Sequence, residues 1–259
     1  MPRRAASINT PPRRLILAVS FALSFCGVAG AAPSAGLVSA TIVEKADRIR
    51  FPKEGFQVDI KVNTKSNSGS ISHHGYRILS KGNDRTLVLT TAPSSDKGQM
   101  LLMRDSDLWV FLPSVSQPVR LPLSQKLTGQ VANGDLARAN FTGDYSATLM
   151  REEQIKGEDF YVLALQAARR GVTYDHVVYW VHKKKFWPYK AEFYAVSKRL
   201  LKTAYYRDFK KLGGQVRPTQ LLLEDGIRVG ATSTLDYSDM KLRALDDKVF
   251  TKQYLQKLQ

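Results

Sequence analysis

From residue 56 to residue 237 the chain keeps repeating one pattern: a short apolar run, then a break made of Gly, Pro, Asp or Lys. The first run is the cleanest. Phe56, Val58, Ile60 and Val62 alternate with Gln57, Asp59, Lys61 and Asn63, and a period of two puts the apolar set on one face of a strand. The polar, Gly/Ser-rich stretch 63–72 reads as a turn, with His73-His74 on its surface. From Tyr76 onward come runs at 86–91, 99–104, 108–112 and 119–123, punctuated by Pro93, Gly98, Asp105-Ser106-Asp107, Pro113 and Pro118. Seven more follow at 145–153, 160–168, 174–182, 187–196, 201–210, 219–224 and 228–237. Gly157, Gly171, Lys183 to Lys185, Gly213-Gly214 and Asp225-Gly226 separate them. About a dozen strands at near-regular spacing predict an antiparallel meander, bent into an open or partial barrel.

Three stretches break the period. Val38, Ile42, Ala46 and Ile49 have helical spacing within 37–49, closed by Pro52. Asn133 or Asp135 is a candidate cap for a short helix through Leu136 and Ala139. Asp246 or Asp247 is a candidate cap for a terminal helix with Phe250, Tyr254 and Leu258. Several strands are apolar on both faces: Val177, Tyr179 and Val181 on one, Val178 and Trp180 on the other. Such a sheet needs two covers, either helices alone or, on one side, a ligand. With no Pro-rich linker and no fixed repeat, the reading is one domain over 33–259.

The formal charge of +16, from 39 Lys+Arg against 23 Asp+Glu, suggests an anionic partner. Part of it sits in the first 14 residues, where Arg3, Arg4, Arg13 and Arg14 precede an apolar run at 15–28 and Ala29-Gly30-Ala31-Ala32. A basic segment, an apolar run of ~7–15 residues and an A-x-A site form a secretory signal, so residues 1–32 read as a cleaved leader and the charge falls by four to +12. The run is shorter than the ~20 apolar residues of a bilayer span. No later segment is longer, so the remainder is expected to be soluble and periplasmic, which argues against nucleic acid as partner. Cys26, the only cysteine, lies in the leader after Phe25, and a lipidated cysteine would want a small residue there. Arg13-Arg14 loosely echoes a twin-arginine signal, although the apolar run suits the general secretory route better.

The residues offer little to catalysis. Without mature cysteines there is no thiol nucleophile, disulfide or Cys-metal site. His176 and His182 are six residues apart on a strand, ~20 Å at 3.3 Å per residue, and cannot share a metal. Glu152-Glu153 and Asp246-Asp247 are adjacent, and neighbours on a strand point apart. No nucleophile elbow or phosphate loop is present. No catalytic residue, metal or cofactor is expected.

Pro93-Ser94-Ser95-Asp96-Lys97-Gly98, then Leu108-Trp109-Val110-Phe111-Leu112-Pro113, then Val119-Arg120-Leu121-Pro122 resemble the outer-membrane lipoprotein-sorting (LolA/LolB-like) family. In the same order stand Ala46-Asp47-Arg48-Ile49-Arg50-Phe51-Pro52, Gly129, Gly134-Asp135, Phe141 with Asp144-Tyr145, Thr173-Tyr174-Asp175 with Trp180-Val181, the 190–194 and 201–203 stretches, and Arg217-Pro218-Thr219. The resemblance covers most of the chain from Ala46 on. It implies an incomplete antiparallel β-barrel closed by N-terminal, central and C-terminal helices around an apolar cavity. It also implies a monomeric periplasmic carrier of lipoprotein or lipid acyl chains, between an inner-membrane exporter and an outer-membrane acceptor. The alternative is a non-carrier module docked on a lipid-exporting transporter. Phe56, Val58, Ile60, Trp109, Phe111, Trp187, Tyr189 and Phe193 are the candidate lining, each otherwise ordinary sheet core. Lys183, Lys184 and Lys185 are either a docking site for anionic headgroups or an acidic partner, or a solvated hairpin tip.

Overall fold

The computed structural model describes residues 1, 2 and 35–257; beyond its first two residues, the leader assigned to 1–32 lies outside the described part, as does Leu258. In chain order the elements are α1 (Ala35–Arg50), β1 (Phe56–Lys65), β2 (Ile71–Lys81), β3 (Arg85–Ala92), β4 (Met100–Arg104), β5 (Asp107–Phe111), β6 (Val119–Leu121), β7 (Lys126–Thr128), β8 (Val131–Ala132), α2 (Asn133–Ala137), β9 (Tyr145–Ile155), β10 (Glu158–Ala167), β11 (His176–His182), β12 (Pro188–Tyr194), β13 (Leu200–Leu212), β14 (Gln215–Asp225), β15 (Thr232–Leu242) and α3 (Lys252–Gln256). Thirteen strands form one sheet in the order β6-β5-β4-β3-β2-β1-β15-β14-β13-β12-β11-β10-β9, every pairing antiparallel; β7 and β8 make a separate small hairpin. The edge strands β6 and β9 do not pair with each other, so the sheet stays open. Among the described residues no helix is long and apolar enough to cross a membrane.

The period of two sorts the sheet into two faces. Val58, Ile60, Ile78, Val88, Leu101 and Leu108 from one half join Leu163, Tyr179, Ala191, Ala204, Leu223 and Leu235 from the other in a single buried cluster. Strands far apart in the sheet meet there because the sheet coils around that face, as twisted sheets do. Ile42, Val43 and Ala46 of α1 and Leu136 and Ala137 of α2 complete it, with α1 lying across β9 and β14. The last carbonyls of α1 find no helical partner, and Arg217 Nη1 supplies one, donating to Arg48 O at 2.7 Å and Ile49 O at 3.0 Å.

The opposite face carries two smaller clusters. Leu87, Met100, Leu102 and Phe111 pack under Phe250 and Leu255 of the C-terminal segment. Phe160, Val162, Val178 and Trp180 form the other, covered by charged side chains. Lys190 Nζ lies 3.7 Å from the Trp180 ring centre, Arg151 lies 5.9 Å from it, and Glu153 accepts the indole N–H at 3.2 Å. Long stems lie on the apolar surface while their charges stay wet.

Several local expectations are corrected. His73 and His74 are in β2, opposite Asn63 and Val62, because the turn is confined to 66–70, where Ser66, Ser68 and Ser70 bond to one another. Neither Asn133 nor Asp135 is the N-cap of α2. Asn133 opens the helix and Asp135 is its third residue, reaching back to Ala132 N at 2.7 Å. Expected strand 228–237 begins at Thr232 instead, since Asp225 Oδ1 accepts Ile227 N and Arg228 N and holds the preceding residues in a turn. The terminal helix is broken. Asp246 caps a short 3-10 turn, Asp247–Phe250, and Thr251 caps α3.

Candidate functional site

The concave face was expected to enclose an apolar cavity. Phe56, Val58, Ile60, Ile78, Leu136 and Asn140 do border a space there, but its volume is about 20 Å³, room for about one water molecule. The interior is filled, mainly by α1 and α2. It is also less apolar than composition suggests. Asp47 on α1 accepts Phe141 N at 2.9 Å, Thr142 N at 2.8 Å and Thr142 Oγ1 at 2.6 Å. Arg50, one turn on, pairs with it at 3.3 Å and lies against the rings of Phe141 and Tyr206, 4.9 and 5.3 Å from their centres.

A second buried pair fastens α2 to the sheet. Asp135 takes a short ion pair from Lys202 Nζ and a hydrogen bond from Tyr174 Oη at 2.8 Å. Lys202 also donates to Gln130 O at 2.9 Å. Burial pushes the Lys202 ammonium below its ordinary pKa, against the pull of Asp135. Burial, reinforced by Asp135, raises the Tyr174 phenol. An isolated ion costs several kcal/mol to desolvate, so these partners hold the five-residue helix in register.

The roomy spaces lie at one rim. Two open clefts of about 330 and 660 Å³ share Ser124, Tyr174 and Leu201. The first has Lys202 in its wall and Lys126 and Arg228 at its lip; the second runs under Arg169, Arg170 and Val196. Its wall is braced where Arg138 and Arg169 converge on buried Asp144, with Arg138 Nη2 to Asp144 Oδ1 at 2.8 Å.

The eight candidate lining residues are not brought together. Phe56, Val58, Ile60 and Phe193 face the concave core. Trp109 and Phe111 are on the other face, beneath Phe250 and Leu255, because β5 alternates and Leu108 takes the concave side. This corrects their shared assignment with Phe56. Tyr189 is the extra residue of a bulge opposite Trp180 and Val181; it packs on Phe160 at 4.9 Å, again outside. Trp187 stacks on Phe209 at 4.3 Å beside the β11–β12 turn.

Lys183, Lys184 and Lys185 form that turn, at the end of the sheet opposite the clefts. His182 organises it. Its Nδ1 accepts Lys184 N and Lys185 N, at 3.1 and 3.2 Å, leaving Nε2 to donate to Glu158 at 2.9 Å. Lys183 pairs with Glu152 at 2.6 Å, Lys185 lies over Trp187, and Lys184 is exposed. Sequence reasoning missed the buried Lys202–Asp135 pair and the basic rim. Lys202 is embedded in a strand pattern, and the rim residues come from turns far apart in sequence.

A single antiparallel sheet coiled on two helices, with its interior filled and its clefts at one rim, defines the class: a β-rich fold that wraps its own helices. A profile of a family described as "Uncharacterized protein" matches residues 82–257. The crystal structure of the LolA superfamily protein NE2245 from Nitrosomonas europaea is 55% identical, covering 83% of this chain and 98% of its own, with a TM-score of 0.80. The chain belongs to the LolA superfamily. A DUF1329 family protein from Desulfovibrio piger, 21% identical, covers 85% of this chain and 99% of its own at a TM-score of 0.71. An outer-membrane lipoprotein-sorting protein domain from Vibrio parahaemolyticus, 20% identical, covers 85% and 98% at 0.73. These two share the fold. No curated protein matches the chain.

Proposed function

We propose that this chain is a carrier that binds acyl chains of lipoproteins or lipids inside the coiled sheet and moves them through the periplasm. Membership of the LolA superfamily is the observation that carries the reading. On this reading the donor is an inner-membrane exporter, the recipient an outer-membrane acceptor, and the protein works as a non-enzymatic monomer.

The filled interior sets a condition on how it works. A space of about 20 Å³ cannot take a chain, so α2 and the segment behind it must yield. The concave side chains Phe56, Val58, Ile60 and Phe193 then meet the load. Each methylene that enters gains about 0.8 kcal/mol, which offsets the contacts α2 gives up. Polar bonds from Asp135 to Lys202 and Tyr174 and the buried Leu136 and Ala137 hold α2, so the entering chain must replace the apolar contacts these two side chains give up.

The test is native mass spectrometry of the protein extracted gently from its own envelope. Bound mass that resolves into acyl lipids or a lipidated protein supports the reading. Protein that emerges empty under conditions that preserve a complex with a membrane transporter favours the docking module, for which a filled core is the working state.

A further inference from the structure

The cleft rim also carries much of the exposed aliphatic surface. Strand directions put the 66–70, 168–175, 195–199 and 226–231 turns at one end of the sheet, and the 82–84, 156–157, 183–187 and 213–214 turns at the other. Strand order makes the first group an arc, since β15, β14, β13, β12, β11 and β10 are successive neighbours and β1, which leads into the 66–70 turn, lies beside β15. Four large aliphatic side chains stand out along it: Ile71, Val196, Ile227 and Val229, with Val196 81% and Val229 94% exposed. The Asp225 carboxylate, spent on Ile227 N and Arg228 N, shapes the tip that projects two of them. At the opposite end, the exposed large aliphatics among the described residues are Val216 and Leu242, both in strands rather than on turn tips.

Between these side chains stand Arg170, Lys198, Arg199 and Arg228, all exposed and none in an ion pair among the described residues. The acids alongside are Asp175, Glu224 and Asp225, each half-buried. Aliphatic tips separated by unpaired cations suit a bilayer. Single β-branched side chains enter a headgroup layer one by one, while Lys and Arg meet anionic lipid. A protein partner instead wants a contiguous, well-packed centre rich in aromatic residues, and these tips offer none.

We propose that this arc of hairpin tips docks on the anionic surface of a lipid bilayer, with Val196, Ile227 and Val229 entering the headgroup layer and Arg170, Lys198, Arg199 and Arg228 meeting the headgroups. Docking turns the two clefts toward the membrane. The inference extends the carrier reading, but bilayer binding is measurable whether or not a lipid is carried.

The experiment measures partition of the purified protein onto phosphatidylcholine vesicles with and without phosphatidylglycerol, at low and high salt. One variant combines Lys198→Gln, Arg199→Gln and Arg228→Gln; a second combines Val196→Ser, Ile227→Ser and Val229→Ser. A control replaces Lys183, Lys184 and Lys185 with Gln. All these positions lie in turns, so thermal unfolding should barely move. Binding is expected on phosphatidylglycerol vesicles only, fading with salt. The basic variant should lose about a hundredfold, roughly fivefold per charge; the aliphatic variant should lose about tenfold at low salt, since buried apolar area adds to the electrostatic term; the control should match the wild type. Absence of wild-type binding, unchanged binding of both rim variants, or an equal loss in the control overturns the proposal. So does a rim variant that keeps its vesicle binding and loses only an envelope protein partner. Native mass spectrometry on the same samples separates the two readings: wild-type protein that carries acyl chains yet binds no vesicle overturns the docking alone.

Discussion

At the residue scale, two kinds of buried side chain behave differently. Phe111 is 2% exposed and packed among Leu87, Met100, Leu102 and Phe250. Phe111→Ala should cost ~3–5 kcal/mol, as truncation of a packed aromatic does. Because it lies on the convex face, lipid occupancy per folded molecule should not change; thermal unfolding paired with native mass spectrometry checks both. Asp135 and Lys202 instead form a buried ion pair. Removing one partner strands the other, so Asp135→Ala should destabilise by ~3–5 kcal/mol. Adding Lys202→Met should recover a large part, because the uncompensated charge is gone. A double variant no more stable than Asp135→Ala would place the loss in Tyr174 and the α2 backbone.

At the element scale, α2 is pinned by sterics as well as charge. A Cβ on Gly134 would lie 1.9 Å from Thr173 Oγ1, an overlap that nearby backbone must relieve. Gly134→Ala should therefore cost ~1–3 kcal/mol and, if α2 is what yields to a load, speed uptake of a fluorescent fatty acid. Thr173→Gly in the same chain should restore stability. Where the first hairpin pairs, Arg77 grips Asp59 through Nε and Nη2, both at 2.7 Å. The hydrogen bonds from Arg77 hold the Asp59 carboxyl below the usual carboxylate range. A lowered folded pKa adds stability that is present above the unfolded value, about 3.9, and is lost as pH falls through the folded one. Arg77 is nearly half exposed, so solvent screening limits the pair to ~0.2–1 kcal/mol. Asp59→Asn should thus unfold at a lower temperature than wild type at pH 7, and the gap should close in acid below pH ~4.

At the scale of the whole molecule, the filled interior and the carrier reading together require a change of state. Amide hydrogen exchange should report it. On loading with a long-chain fatty acid, the 133–142 segment, tied to the sheet through Asp135 and to α1 through Asp47, should lose protection, while β13 and β14 gain or keep theirs. Unchanged protection throughout, with lipid demonstrably bound, would move the load to the rim clefts.

The alternation of Phe56, Val58, Ile60 and Val62, the turn residues and the helical spacing ahead of Pro52 made the antiparallel sheet and α1 legible, because period and punctuation are local properties. The motifs around Trp109 and Phe111 likewise pointed to the family. Which face those two aromatics occupy was not legible. A strand apolar on both sides gives no sign of which set turns inward, and only the seating of Phe250 and Leu255 decided it. Local pattern was equally silent on the Lys202–Asp135 and Asp47–Thr142 pairings, which join residues 67 and 95 positions apart. The same holds for the rim. Val196, Ile227 and Arg170 belong to three separate turns, and only the coiling of the sheet sets them on one edge.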